Sequence, residues 1–144
     1  MQAMPHVYTV EATSQHSGAL SLSAVGVADL LCDAPREFDG PGDQWSPESL
    51  LCASVAACFV LTFRAMARAS KLQWSRLGCS VDGTLERVEG VTQFTRFTTQ
   101  ATLEVPAGTD LQLCTRLLEK AERGCLVVNS LRSECDLTSS VVEV

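Results

Sequence analysis

The chain has 144 residues, of which 46% are hydrophobic and 19% are charged, a length and composition typical of one globular domain and not of a disordered chain. Its formal net charge is −6 at pH 7, and because such a surface repels a phosphate backbone, nucleic-acid binding is not expected. No signal peptide is recognisable at the N-terminus, and the most apolar stretch, residues 50–63, is too short for a membrane span of about 20 residues. We therefore expect a single domain over residues 1–144 that resides in the cytoplasm and does not enter a membrane.

The first half of the sequence predicts a strand hairpin followed by a long helix. Residues 6–14 and 18–28 alternate apolar and polar side chains, as half-buried strands do. Prolines and glycines interrupt residues 33–46, which are expected to form a loop. The segment Ser-Pro-Glu at 46–48 is typical of a helix start, and the helix is predicted to run to about residue 70.

This predicted helix is apolar on nearly every face, so every face must be covered. A chain of 144 residues has little other material to surround about 35 Å of helix. We therefore expect a partner subunit to bury part of it. The alternative is a central helix that is wrapped by the sheets of its own chain.

The second half begins with another predicted hairpin. Residues 75–88 alternate in polarity, Glu89 and Gly90 mark a turn, and residues 97–105 alternate again with polar side chains on one face. An antiparallel pair of strands with one face in water is expected.

Two helices and a last strand are predicted after this hairpin. Thr109 is expected to open a helix through a capping box with Gln112, and Gly124 is expected to end it. A short turn or helix at 125–131 and a strand near 136–144 follow. The predicted order is β-β-α-β-β-α-(α)-β, which is an α+β fold with antiparallel sheets around a long central helix.

The seven cysteines are an odd number and cannot all pair within one chain. They stand at positions 32, 52, 58, 79, 114, 125 and 135. Their spacing is not that of zinc ligands, so no metal site is predicted. Cys79 and Cys114 lie among apolar residues at strand and helix spacing, which indicates small buried hydrophobic side chains.

Two segments of the chain carry a more specific pattern. Residues 46–59 read Ser-Pro-Glu-Ser-Leu-Leu-Cys-Ala-Ser-Val-Ala-Ala-Cys-Phe, with Ala-Ala-Cys ten residues after Pro-Glu. Residues 121–131 read Ala-Glu-Arg-Gly-Cys-Leu-Val-Val-Asn-Ser-Leu. The first segment resembles the central-helix motif of the OsmC/Ohr family (osmotically induced and organic hydroperoxide resistance proteins), and the second resembles its second-cysteine motif. The loop at 38–42 and the order of elements are similar too, over nearly the whole chain.

The resemblance implies a divergent OsmC-like member that forms an intertwined homodimer and acts as a thiol-dependent peroxidase on organic hydroperoxides, and sometimes on hydrogen peroxide. Carried over by position, Cys58 is the peroxidatic cysteine, Cys125 the resolving cysteine and Glu48 the helix-start carboxylate. The implied reductant is an external dithiol, commonly a dihydrolipoyl group on a lipoylated protein. No metal, flavin or haem is implied. Such an enzyme is an antioxidant in oxidative stress.

The main difficulty for a peroxidase is how the thiol of Cys58 would be ionised. Its apolar neighbours should raise its pKa by burial, and it lies too far along the helix for strong help from the dipole, so a compensating cation is expected. The resemblance implies an arginine before the helix, held by Glu48. Arg36 is the only arginine there, but it is displaced by one position, and a solvated loop arginine is the alternative. Glu48 precedes Cys58 by about 15 Å of helix, so it can act only through a bridging arginine or in the other subunit, unless it merely stabilises the helix start.

The sequence also departs from the common family pattern around Cys125, and these departures leave the function open. Leu126 stands where the family commonly has proline, and Arg123-Gly124 precede Cys125 in place of a nearby histidine, so Cys125 either resolves or is a passive buried thiol. Phe59, Phe63 and Leu51 are candidates for an apolar substrate pocket. The rival functions are a small-ligand binding protein or redox sensor with the same fold, and a structural domain with inert thiols. A peroxidase turns over with a dithiol, a sensor oxidises once, and an inert domain does neither.

Overall fold

The computed structural model describes all 144 residues and divides the chain into two units, residues 1–50 and 51–144. The strands are β1 (Glu11–Thr13), β2 (Leu20–Ser23), β3 (Leu30–Cys32), β4 (Arg76–Val88), β5 (Val91–Val105) and β6 (Glu134–Glu143). The helices are α1 (Pro47–Ala69), α2 (Leu111–Arg123) and α3 (Leu126–Asn129). The mixed α+β class and the long helix are as predicted.

The first unit holds an antiparallel sheet in the order β1-β2-β3. Both predicted strands are shorter than expected, and β2 ends before the chain turns at Gly26, whose φ is +81°. Strand β3 was not predicted, because three residues are too few to show an alternating pattern. The predicted loop contains one turn of 3-10 helix at Arg36–Phe38.

This unit buries almost nothing of its own. Cys32 and Ser46 are its only buried residues, whereas Val7 and Tyr8 are 86% and 87% exposed. The unit therefore has no apolar core in the single chain.

Helix α1 starts as the sequence predicts. The Ser46 hydroxyl accepts the N–H of Ser49 at 3.2 Å, and the Ser49 hydroxyl accepts the N–H of Ser46 at 2.9 Å, so the two serines cap the helix reciprocally. Its 23 residues include an 18-residue window with mean hydropathy 2.0, 28% of it buried. The helix is therefore long enough and apolar enough to cross a membrane, so the expectation that it is too short is wrong. The central helix of a soluble protein can have the same length and composition.

The second unit contains a sheet in the order β4-β5-β6. Strands β4 and β5 form the predicted antiparallel hairpin, and Glu89 and Gly90 form its turn with φ of +50° and +81°, values typical of a two-residue hairpin loop. Strand β6, however, pairs with β5 in parallel, so the prediction of purely antiparallel sheets is wrong here. The helices between the two strands form a crossover long enough to return the chain in the same direction.

The core of the second unit lies between this sheet and two helices. Helix α2 is capped by Asp110, whose carboxylate accepts the N–H of Leu113 at 3.0 Å, and not by Thr109 as predicted. The Thr109 hydroxyl instead donates to the carbonyl of Pro106 at 2.6 Å. The buried residues of this core cluster come from α1, β5 and α2: Phe59, Phe63, Ala67, Ala101, Leu103, Val105, Cys114, Leu117, Leu118 and Ala121.

Candidate active site

The two cysteines that the sequence singled out lie together in the second unit. Cys58 is half-buried on α1, and Cys125 is completely buried where the chain passes from α2 to α3. The N–H of Cys125 donates to the carbonyl of Glu122 at 3.1 Å, and its own carbonyl accepts the N–H of Asn129 at 3.0 Å. The Asn129 side chain donates to the carbonyl of Arg123 at 3.2 Å, so it ties α3 back to the end of α2 and fixes the turn that carries Cys125.

The surroundings of Cys58 favour its thiolate. Burial acts to raise the pKa of Cys58, but donors around the sulfur act against it, and the pKa lies below that of an ordinary thiol. These donors are the N–H of Val127, the thiol of Cys125, the hydroxyl of Thr62 and the N–H of Leu126. All four groups are neutral, so a pKa lowered against burial does not require the cation that the sequence led us to expect.

Cys125 has the opposite character. Burial raises its pKa to about 11; the N–H of Val128 opposes this rise, and the neighbouring Cys58 adds to it. Cys125 thus keeps its proton near neutral pH, whereas Cys58 is the sulfur of the pair that ionises more readily. Because a thiolate attacks and a thiol does not, the lower pKa makes Cys58 the candidate nucleophile of the pair.

None of the other five cysteines has a lowered pKa. Burial is the largest cause that raises the pKa of each of them: Cys32, Cys52, Cys79, Cys114 and Cys135. All seven cysteines are free thiols. Cys58 is therefore the one cysteine of the chain whose pKa lies below that of an ordinary thiol.

Glu48 and Arg36 belong to the first unit. The Glu48 Oε2 atom is buried and has no hydrogen-bond partner, an unfavourable state for a carboxylate oxygen. Arg36 makes no ion pair with it; the Arg36 side chain instead occupies the space that a Cβ on Gly42 would take. Their predicted roles stay predictions.

The candidate pocket residues separate into two groups. Phe59 and Phe63 are 2% and 0% exposed and pack in the core, so they do not line a pocket. Leu51 lines an open groove of about 620 Å³. The other residues lining this groove come from the β4–β5 hairpin and the segment before β6: Glu86, Val88, Gln93, Phe94, Thr95, Arg96, Phe97, Ser130, Leu131, Arg132, Ser133 and Glu134.

Sequence reasoning missed Thr62 as a residue of the site. Thr62 follows Cys58 by four positions, a spacing that places two side chains on neighbouring positions of one helix face. That spacing was the available signal. It identifies a contact only when both residues are known to be helical.

Residues 40–140 match the OsmC family, described as OsmC-like protein. An uncharacterized protein of Bacillus subtilis, YmaD, is 26% identical over 106 residues, which are 72% of this chain and 71% of YmaD. Among solved structures, an OsmC-like protein of unknown function from Vibrio cholerae is 16% identical, with a TM-score of 0.87 over 94% of this chain and 100% of its own. An organic hydroperoxide resistance protein from Elizabethkingia anophelis is 22% identical, with a TM-score of 0.75 over 98% and 100%. The family match spans well over half of the chain, and the chain therefore belongs to the OsmC family.

Proposed function

We propose that this protein is a thiol-dependent peroxidase that reduces organic hydroperoxides. The observation that carries the proposal is the pair formed by Cys58, whose pKa is lowered, and Cys125, whose pKa is raised to about 11. A reactive thiolate beside a protonated second thiol is the arrangement that a two-cysteine cycle needs. A structural neighbour bears the name of an organic hydroperoxide resistance protein, which supports the same substrate class.

The proposed cycle has three steps. The Cys58 thiolate attacks the distal oxygen of the hydroperoxide; the O–O bond breaks, the alkoxide takes up a proton and leaves as an alcohol, and Cys58 becomes a sulfenic acid. Cys125 then forms a disulfide with Cys58, and its proton leaves with the displaced hydroxide as water. An external dithiol, for which we propose a dihydrolipoyl group, reduces the disulfide by two thiol exchanges. The cycle needs no metal, flavin or haem, and we propose that it operates in the reducing cytoplasm.

A thiol count provides the first test. One equivalent of cumene hydroperoxide should remove two thiols rapidly, and peptide mass mapping should find a Cys58–Cys125 disulfide. Because the pKa of Cys58 is lowered, the reaction should persist to a lower pH than oxidation of an ordinary thiol. Loss of the two thiols without turnover in the presence of a dithiol would indicate a redox sensor. No loss of thiol over many minutes would contradict the proposal.

We also propose that the active form is a homodimer. The first unit has no core of its own, and Leu61 is 58% exposed in the middle of α1, so a second copy has apolar surface to cover in both places. Analytical ultracentrifugation at micromolar concentration should give twice the 15.5 kDa mass of the chain. A monomer at all accessible concentrations would contradict this proposal.

Within such a dimer, the buried and unpaired oxygen of Glu48 needs a donor. We propose that it positions an arginine near the active site and that Arg36, which is free of ion pairs, is the candidate. A Glu48→Gln variant would then lose peroxidase rate while the oxidation of Cys58 to a disulfide still occurred. An unchanged rate would contradict the role.

A further inference from the structure

Gly124 follows the last residue of α2, yet its backbone does not need a glycine. Its φ of −88° and ψ of −2° lie in the right-handed helical region, which any residue adopts. A glycine at a helix end is commonly found there because it adopts a left-handed conformation instead. An alanine that fits the native backbone is usually favourable, since it loses less chain entropy on folding. Backbone conformation therefore does not explain the glycine at this position.

The space beside Gly124 is taken by helix α1. A Cβ atom on Gly124 would lie 3.1 Å from the terminal methyl carbon of Met66 and 3.5 Å from the methyl carbon of Thr62. The first distance is shorter than the roughly 3.5–4.0 Å at which carbon atoms pack best. The Cβ would also lie 3.2 Å from the carbonyl oxygen of Lys120, in the last turn of α2. Gly124 therefore allows the end of α2 to approach α1 more closely than a residue with a side chain would.

The face of α1 that Gly124 meets is the face that carries Cys58. Thr62 and Met66 follow Cys58 by four and eight residues, a spacing that places all three side chains on one side of the helix. Directly after Gly124 the chain buries Cys125 completely, although both neighbours of Cys125 in the chain are exposed. The close contact at Gly124 thus lies one residue from Cys125 and about one helical turn from Cys58.

We propose that Gly124 is a positioning residue that holds the Cys125 turn close enough to the Cys58 face of α1 for the two sulfurs to form a disulfide. The inference rests on the proposed peroxidase function and concerns its second step. In that step Cys125 attacks the Cys58 sulfenic acid, the S–O bond breaks, and hydroxide leaves with the Cys125 proton as water. The two Cβ atoms of a disulfide must come within about 3.5–4.5 Å, and a misplacement of about 1 Å can cost a reaction about a hundredfold.

Gly124→Ala tests this role. The added methyl group must displace the Met66 side chain or the turn, and disulfide formation after one equivalent of cumene hydroperoxide should slow about tenfold. The first oxidation of Cys58, followed by dimedone trapping in a Cys125→Ser background, should stay within about twofold, because this step does not involve the second sulfur. Thermal unfolding verifies that the variant is folded.

A second substitution on α1 should rescue the rate. In Gly124→Ala/Met66→Leu, leucine is close in volume to methionine and lacks the terminal methyl carbon that a Cβ at position 124 would meet, so disulfide formation should regain most of its speed. Gly78→Ala is the matched control. A Cβ on Gly78 would come no closer than 4.0 Å to the carbonyl oxygen of Thr102, so this variant should keep the rate of the unmodified protein.

A glutathione redox buffer makes the test independent of peroxide. Oxidised glutathione converts the two thiols of Cys58 and Cys125 into a disulfide and is itself reduced to two molecules of glutathione. The glutathione ratio at which half of this disulfide has formed, followed by peptide mass mapping, reports how readily the two sulfurs meet. Gly124→Ala should shift the ratio about tenfold towards the dithiol, and the double variant should reverse the shift.

Three results would overturn the proposal. They are an unshifted ratio in folded Gly124→Ala, a shift that Met66→Leu does not reverse, and the absence of a Cys58–Cys125 disulfide from the oxidised unmodified protein. A shifted ratio in a protein that consumes no peroxide would instead refute the peroxidase function and leave the role of Gly124 established.

Discussion

Replacing Cys58 with serine is expected to abolish peroxide consumption, with a loss of more than about a thousandfold relative to the unmodified protein. A hydroxyl is not ionised at neutral pH and cannot replace the thiolate that attacks the peroxide. The measurement is consumption of cumene hydroperoxide in the presence of excess dithiol. Cys135→Ser is the matched control, because Cys135 is a thiol whose burial raises its pKa, and it should keep nearly the full rate.

Cys125→Ser completes this experiment. The variant should still form one sulfenic acid per chain, which dimedone traps on Cys58, but it should form no internal disulfide. Retention of activity in Cys58→Ser, or equal losses in Cys58→Ser and Cys135→Ser, would rule out Cys58 as the peroxidatic cysteine.

Replacing Phe63 with alanine should lower the free energy of unfolding by about 3–5 kcal/mol, a large part of the stability of a domain of this size. Phe63 is completely buried, and its ring meets that of Trp74 edge-to-face with centroids 5.5 Å apart. Urea denaturation followed by tryptophan fluorescence provides the measurement. Leu126→Ala, which truncates an exposed side chain, should change the free energy by less than about 0.5 kcal/mol. A cost below about 1 kcal/mol for Phe63→Ala would show that Phe63 is not part of a tightly packed core.

The sequence predicted the elements whose signals are local. The serine cap and the length of α1 were correct, as were the hairpin turn at Glu89 and Gly90 and the burial of α2 through Cys114 and Leu118. The direction of β6 was not accessible in this way, because no local signal in a strand reports which neighbour it joins. The cap of α2 was misplaced by one residue, since Thr109 and Asp110 are both good capping residues.

The two cysteines of the candidate site could be identified from the sequence, but the groups that surround Cys58 could not. The resemblance of two motifs to the OsmC/Ohr family singled out Cys58 and Cys125, which do lie together. What activates Cys58 could not be predicted, because burial and hydrogen bonding oppose each other and their balance depends on distances between α1 and α3. The N–H of Leu126 carries no recognisable signal until α1 and α3 are placed side by side, whereas Thr62 is marked by its spacing of four residues from Cys58 once both residues are known to be helical.

The parallel pairing of β5 with β6 has a consequence for how the chain is made. The hairpin of β4 and β5 joins residues that are close in sequence, whereas Arg96 meets Glu134, 38 positions later. During synthesis the hairpin can therefore form while β6 is still being translated, and the outer edge of β5 stays open until residues 134–143 emerge. An open strand edge is a place where nascent chains associate wrongly. The interval between translation of β5 and of β6 is thus the period in which a chaperone would matter most for this protein.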